Sequence, residues 1–242
     1  VKNVTVEKML SDGLKAMGYD AVEVMVDQFL TFRSLLLEWN EKINLTTITD
    51  DEGVVYKHFL DSLTCLQSKV DFNGKKVLDL GTGAGFPGVP LKIAIPDLDI
   101  TLMDSLNKRI QYLNEVCSAL QFKNVQCLHA RAEEAARQKT MREAYDIVVS
   151  RAVANMSTLS EYCLPFVKTG GYFIAQKTNE AIDEINNAEK AIRILGGATP
   201  EIVQVQVPGT DLAHNLVIIK KIKPTPAVYP RKAGTPAKKP IA

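Results

Sequence analysis

No apolar run in the sequence approaches the ~20 residues that a membrane-spanning helix needs. The first apolar stretch is broken by Glu7, Lys8 and Asp12. Neither a span nor a secretion signal is predicted, and a cytoplasmic, monomeric protein is expected. Cysteine is sparse, and Cys65, Cys117, Cys127 and Cys163 form no CxxC pair. That spacing speaks against a zinc site and against a disulfide framework, and no metal is predicted. The absence of G-x-x-x-x-G-K-[ST] excludes a P-loop. Acidic residues are missing from the end of the chain, where Lys220, Lys221, Lys223, Arg231, Lys232, Lys238 and Lys239 stand without one. The formal net charge is only +1, so the body that precedes this tail is acidic. A basic tail on an acidic body suits a polyanionic partner, and a solvated tail is the plain alternative.

What remains is 242 residues, 46% hydrophobic and 24% charged, enough for one large core with appendages. The pattern divides into an N-terminal helical extension over 1–70, a main domain over 71–223 and a Pro/Lys-rich tail over 224–242. Within the extension, Met25, Phe29, Phe32, Leu36 and Trp39 recur at helical spacing, and Asp20 with Glu23 has capping-box spacing. These predict an amphipathic helix over 20–40, a polar loop over 40–51 and a short helix over 58–66. From Gly74 onward, strands alternate with helices. Strands are predicted at 75–80, 99–104, 125–129, 145–150, 171–176, 201–207 and 215–222, with a turn at Pro208 and Gly209. The pattern implies an α/β fold with a seven-stranded, mostly parallel sheet. The last two strands, adjacent without a helix, imply one antiparallel strand.

Val77-Leu-Asp-Leu-Gly-Thr-Gly-Ala-Gly-Phe86 is the most informative stretch. Gly81, Gly83 and Gly85 follow a buried strand and precede a helix, where glycine lets a ligand approach the backbone. A dinucleotide fingerprint wants G-x-G-x-x-G, but Phe86 stands at its third glycine position. Asp79, two residues before Gly81, disfavours a pyrophosphate and favours a cationic ligand. Asp104 ends the next predicted strand, placed to accept hydrogen bonds from a ribose. That position serves NAD and S-adenosylmethionine equally, and helix capping by Asp104 is the plain alternative. The glycine pattern resembles motif I of the class I S-adenosylmethionine-dependent methyltransferases, which have a Rossmann-like fold.

Further segments narrow the resemblance. Trp39-Asn-Glu-Lys-Ile-Asn-Leu-Thr46, His58-Phe-Leu-Asp-Ser-Leu63, Asp104-Ser-Leu-Asn-Lys-Arg109, Ser150-Arg-Ala-Val153 and Tyr229-Pro-Arg-Lys-Ala-Gly-Thr-Pro-Ala-Lys-Lys-Pro240 are among them. Together they resemble the RsmG (GidB) family of bacterial small-subunit ribosomal RNA methyltransferases. The resemblance implies methyl transfer from S-adenosylmethionine to N7 of guanine 527 in the 530 loop of 16S rRNA, free or within the small subunit. It also implies cofactor contacts from Gly81, Phe86, Ala132, Glu133 and Arg151. His58, Asp61, Asn40 and Asn44 become candidates for the target-base pocket, although His58 with Asp61 also fits a core histidine and its partner. Lys108 and Arg109, with Arg231, Lys232, Lys238 and Lys239 of the tail, become candidates for RNA phosphates. N7 of guanine has a lone pair and no proton, so no general base is required and no catalytic residue is assigned. A methyltransferase for another substrate, or a module that binds the cofactor without catalysis, are the competing expectations.

Overall fold

A computed structural model describes residues 4–20, 22–151, 153–178 and 182–241. Its centre is a seven-stranded sheet in the order β3-β2-β1-β4-β5-β7-β6. The strands are β1 (Lys76–Leu80), β2 (Asp99–Asp104), β3 (Val125–His129), β4 (Tyr145–Arg151), β5 (Val167–Lys177), β6 (Glu201–Gln206) and β7 (Ala213–Lys220). All seven lie where the sequence predicts them, β5 being longer than expected. The pairs among β1 to β5 are parallel, whereas β7 runs antiparallel to both β5 and β6. The β6–β7 hairpin folds back so that β7 slots between β5 and β6.

Central strands read as continuous apolar runs because helices cover both faces. Along β1 and β4 the side chains alternate between two core clusters. Val77, Ile147 and Val149 join one cluster, which holds Leu10, Leu14, Phe29, Phe32 and Phe59 from the N-terminal helices. Leu78, Leu80 and Val148 join the other, with Met156, Leu159 and Phe166. The first helix, α1 (Val6–Ala16), starts at Thr5, whose hydroxyl accepts from the Lys8 N–H. Among the described residues no helix is long and apolar enough to cross a membrane.

Three local expectations need correction. The helix predicted over 20–40 is α2 (Glu23–Ile43), and Val22 rather than Asp20 precedes it, without a side-chain cap. The chain begins its helical turns at Glu23 itself, so Asp20 stands too far upstream to cap. The same helix continues through Asn40 and ends at Asn44, which takes a left-handed conformation (φ 50°). Asparagine tolerates that region better than other side-chain-bearing residues, and the loop is thereby confined to 44–50. The short helix predicted from His58 begins earlier: helical turns run over 51–68, with Asp50 accepting from the Gly53 N–H at 2.7 Å. Its middle, Val54–Leu60, is a π-helix.

The C-terminal tail is folded onto the body. Arg142 donates to the carbonyls of Thr225, Pro226 and Tyr229. Arg231, expected at RNA phosphates, instead meets the fully buried Glu161. Its backbone N–H and Nε donate to Oε1 at 2.8 and 3.0 Å, and Nη2 donates to Oε2 at 2.6 Å. A buried carboxylate with no cation is costly, so Arg231 is held where Glu161 needs it. Lys221 is also fully buried, donating to the carbonyls of Leu164 and Val167 and to Glu143. Replacing Arg231 by alanine strands the Glu161 charge and should destabilise the protein by about 3 kcal/mol. Urea unfolding of the variant against the wild type measures this, and a difference under ~0.5 kcal/mol, the range of ordinary surface substitutions, would contradict it.

Candidate functional site

The site forms at the carboxyl ends of β1, β2 and β4. The loop after β1 is organised from beneath by Asp79, which is fully buried. Its Oδ2 accepts from the Thr82 hydroxyl (2.6 Å) and from the Gly88 N–H (2.8 Å), while Oδ1 has no partner. Burial pushes its carboxyl up to about 7. Asp79 therefore holds the loop and does not face a cationic ligand, as its sequence position had suggested. Gly81 has φ 70°, and a Cβ there would lie 2.7 Å from Val153. Gly85 serves a different purpose: a Cβ would enter the core at 2.8 Å from Val89, beside Leu113 and Phe32.

A cavity of about 370 Å³ opens beside this loop, walled by Gly81, Asp104, Ala132, Glu133, Arg109 and Gly234 among others. Asp104 is 4% exposed. Its Oδ2 accepts from the Gly83 N–H (3.0 Å) and Arg109 Nη1 (3.2 Å), and its Oδ1 from the Leu106 N–H (2.9 Å). Glu133 sits in the short Ala132–Ala135 helix and accepts the Gly234 N–H at 2.9 Å. Tail residue Gly234 thus closes one wall, together with Tyr162. Arg109, expected to meet phosphate, belongs to this cavity through Asp104, and Lys108 beside it is exposed.

A second cavity of about 460 Å³ is lined by Lys57, His58, Asp61, Arg151, Gln176 and His214, with Lys177 and Glu184. Of the residues expected at the cofactor, Arg151 lines this cavity and not the first, and Phe86 lines neither, lying in the core behind His58 and Arg151. Phe86 is 5% exposed and packs against Phe32 and Phe59. Its ring stacks on His58 with centroids 4.6 Å apart, and the Arg151 guanidinium lies 4.9 Å from its centroid. Arg151 Nη1 donates to Asp61 Oδ2 (2.8 Å) and to the Lys57 carbonyl (3.1 Å). Asp61 Oδ1 lies 3.0 Å from His214 Nδ1. Burial pushes the Asp61 carboxyl up, but the bonds from His214 and Arg151 outweigh it, and the net shift is downward.

His58 is neutral at physiological pH, because burial and the adjacent Arg151 push its imidazole down to about 4. Arg151 Nη2, which can only donate, stands 3.3 Å from His58 Nδ1. The same Nδ1 lies 3.2 Å from the Lys57 carbonyl, and Nε2 lies 2.8 Å from Thr46 Oγ1. Asn40 joins through the same threonine, its Oδ1 accepting the Thr46 N–H at 2.8 Å. Asn44 does not join: it is an exposed helix terminus. Lys232, Lys238 and Lys239 are exposed on the tail. Sequence patterns missed Gln176, His214, Tyr162 and Gly234. Gly234 lies in the 229–240 segment, which assigns it no role, the other three stand in no local motif, and sheet order or tail docking brings the four in.

The fold and site define a class I S-adenosylmethionine-dependent methyltransferase architecture. A SAM-dependent methyltransferase from Aquifex aeolicus superposes with a TM-score of 0.52 and 17% identity, covering 77% of this chain and 98% of that one. Precorrin-6y C5,15-methyltransferase from Geobacter metallireducens gives 0.51 and 14%, covering 72% and 90%. The sequence profile of the rRNA small subunit methyltransferase G family (GidB) matches residues 25–213. Ribosomal RNA small subunit methyltransferase G of Alkaliphilus oremlandii is 51% identical over 96% of this chain and 98% of its own. The namesake from Lachnoclostridium phytofermentans is 52% identical over 95% of each chain. The chain belongs to the GidB family of small-subunit ribosomal RNA methyltransferases.

The buried, neutral His58 makes a pH signature. Its folded value near 4 lies below the unfolded 6.5, so the unfolded chain takes up the proton first. Stability from this residue is full above about pH 6.5 and is lost as pH falls toward 4. Asp79 acts in the opposite sense, because its raised value gives stability that is lost as pH rises through about 7. His58→Asn removes only the first effect. Between pH 7 and 4.5 the wild type should lose about 2 kcal/mol more stability than this variant. Urea unfolding at both values tests it, and parallel losses would contradict it.

Proposed function

We propose that this protein transfers the methyl group of S-adenosylmethionine to N7 of guanine 527 in the 530 loop of 16S rRNA. The observation that supports the reading is the placement of two cavities on either side of 151–153: Val153 lines the first and Arg151 the second. A cofactor and an acceptor base held in them would meet at the ends of β1 and β4. Both cavities are built from one chain, in keeping with a monomer, and a ribosomal substrate places the protein in the cytoplasm.

The first cavity has the chemistry for the cofactor. The Asp104 carboxylate suits a pair of ribose hydroxyls, the open backbone around Gly83 leaves room that a Cβ would occupy, and Ala132 and Glu133 suit an adenine edge. S-adenosylmethionine supplies an electrophilic methyl group on a sulfonium. The chain's task is to bring N7 in line with that methyl group, which by itself lowers the barrier by several kcal/mol. The C–S bond breaks as the C–N7 bond forms, and the base becomes a cation. Arg151 alone would oppose that charge, and the Asp61 carboxylate beside it offsets this. His58 and Arg151 present donors and a flat stacking surface suited to an unpaired base. Exposed Lys232, Lys238 and Lys239 suit RNA phosphates.

The test is methyl transfer from labelled cofactor to 16S rRNA lacking 7-methylguanosine, as naked RNA and as small subunits, with the modified base mapped by cleavage. A single site in the 530 loop is expected; cofactor binding without transfer to either form would overturn the reading. Asp104→Ala should weaken cofactor binding at least about tenfold by calorimetry, since hydrogen bonds to a charged group contribute roughly 1.5–3 kcal/mol each. Changing Lys232, Lys238 and Lys239 together to glutamine should lower the salt slope of RNA binding by about 2, at ~0.7 for each contact to single-stranded phosphate. An unchanged slope in filter binding would remove the tail from the interface.

A further inference from the structure

Asp61 is held by Arg151 and, at its other carboxylate oxygen and its backbone carbonyl, by residues that none of the quoted segments contains. Its carboxylate takes Arg151 on Oδ2 at 2.8 Å and His214 Nδ1 on Oδ1 at 3.0 Å. Its backbone carbonyl accepts the Gln176 amide N–H at 2.8 Å and the Thr64 hydroxyl at 2.6 Å. Gln176 Nε2 also donates to Thr64 Oγ1 at 3.2 Å, and that oxygen lies 3.0 Å from His214 Nε2. Gln176 is paired in register with Arg151 across β4 and β5, and β7, which bears His214, adjoins β5 on its other side. Gln176 and Thr64 are 5% and 0% exposed. No residue of this cluster lines the first cavity, whereas Asp61, Arg151, Gln176 and His214 line the second.

We infer that His214 and Gln176 are positioning residues for methyl transfer: they fix Asp61, and Asp61 fixes the Arg151 guanidinium against Phe86 at the wall that faces the acceptor base. The inference rests on the second cavity being the base site. An arginine side chain has several rotatable bonds, and holding it still is where a second carboxylate contact matters. With only Arg151 bound, Asp61 could turn about its side-chain torsions. With His214 on its other oxygen and Gln176 on its carbonyl, both the backbone and the carboxylate plane are set. Arg151 then has two fixed acceptors, Asp61 Oδ2 and the Lys57 carbonyl, and lies beside the His58 and Phe86 rings. Misplacing a group of this kind by about 1 Å costs up to ~10²-fold in rate. The cofactor cavity, walled by Gly81, Asp104 and Glu133, is expected to be untouched.

The test compares His214→Leu, which removes the donor to Asp61 Oδ1, with His214→Asn, whose amide N–H can stand where Nδ1–H stood. On 16S rRNA substrate, His214→Leu should lower kcat about tenfold or more. Its cofactor Kd should stay within about twofold and its Tm close to the wild type. His214→Asn should recover most of kcat. Independently of activity, ¹⁵N spectra of the arginine side chains, with Arg151 identified through Arg151→Lys, report whether its Nη groups are held. Separate Nη signals are expected in the wild type and His214→Asn, and one averaged signal in His214→Leu. Three results would overturn the inference: unchanged Arg151 signals in His214→Leu, no recovery in His214→Asn, or cofactor affinity and Tm falling in step with kcat. If the wild type itself transfers no methyl group to rRNA, the proposed function fails, and the Arg151 signals still decide whether His214 positions that residue.

Discussion

The Asp61–Arg151 ion pair is the constraint on which the site is built. Asp61 belongs to the helical turns over 51–68 and Arg151 ends β4, so the pair fastens the N-terminal helical layer to the sheet. Both of its residues line the second cavity. Both partners are mostly buried, with side chains 15% and 19% exposed. Such a pair gains little net stability over an apolar one, but breaking it leaves a charge without a partner. Its value lies in specifying geometry: Phe86, His58 and Lys57 all take their places around the Arg151 guanidinium.

The C-terminal tail follows the same logic of buried charge. Its basic composition suggests a free polyanion-binding arm, yet Arg231 and Lys221 are committed to Glu161 and Glu143 inside the protein. Arg142 grips the intervening carbonyls. This docking carries Gly234 to Glu133 and completes the cofactor cavity. The tail therefore has two surfaces of different character. One is an inner face of paired charges that shapes the site, and the other is an outer face of lysines suited to RNA.

The proposed reaction at guanine N7 requires no general base, because N7 carries a lone pair and no proton. Of the titratable groups near the second cavity, His58 is neutral and used for stacking and hydrogen bonding, while Asp61 stays charged between two donors. Asp79, whose raised value might suggest acid–base work, lies sealed under the glycine loop on Thr82 and Gly88. Alignment and charge balance are what this arrangement offers, and a nucleophile without a proton asks for nothing more.

Much of the fold was legible in the residue pattern. Alternating strands and helices, the buried run from Lys76 to Leu80 and the glycines after it specify a parallel sheet, because local periodicity and backbone freedom are properties of neighbours in the chain. The ends of the elements were less legible, as Asn40 and Asp50 show: a polar run does not reveal where a helix stops until Asn44 takes its left-handed turn. Gly81, Asp104, Ala132 and Glu133, which line the first cavity, come from two strand ends and a short helix that motifs can mark. Gly85 and Phe86, in the same glycine motif as Gly81, face the core instead, which spacing alone does not distinguish. Gln176 and His214 stand far from any motif, and Gly234 lies in a tail segment that does not show what it meets. The strand order β4-β5-β7 brings the first two to Asp61, and the docking of the tail through Arg142 and the Arg231–Glu161 pair brings Gly234 to Glu133. Sequence by itself determined the elements and the glycine loop, since these depend on short-range sterics and hydrophobic periodicity. Tertiary structure decided which charges face each other, since a buried ion pair is chosen by whatever packing brings within reach.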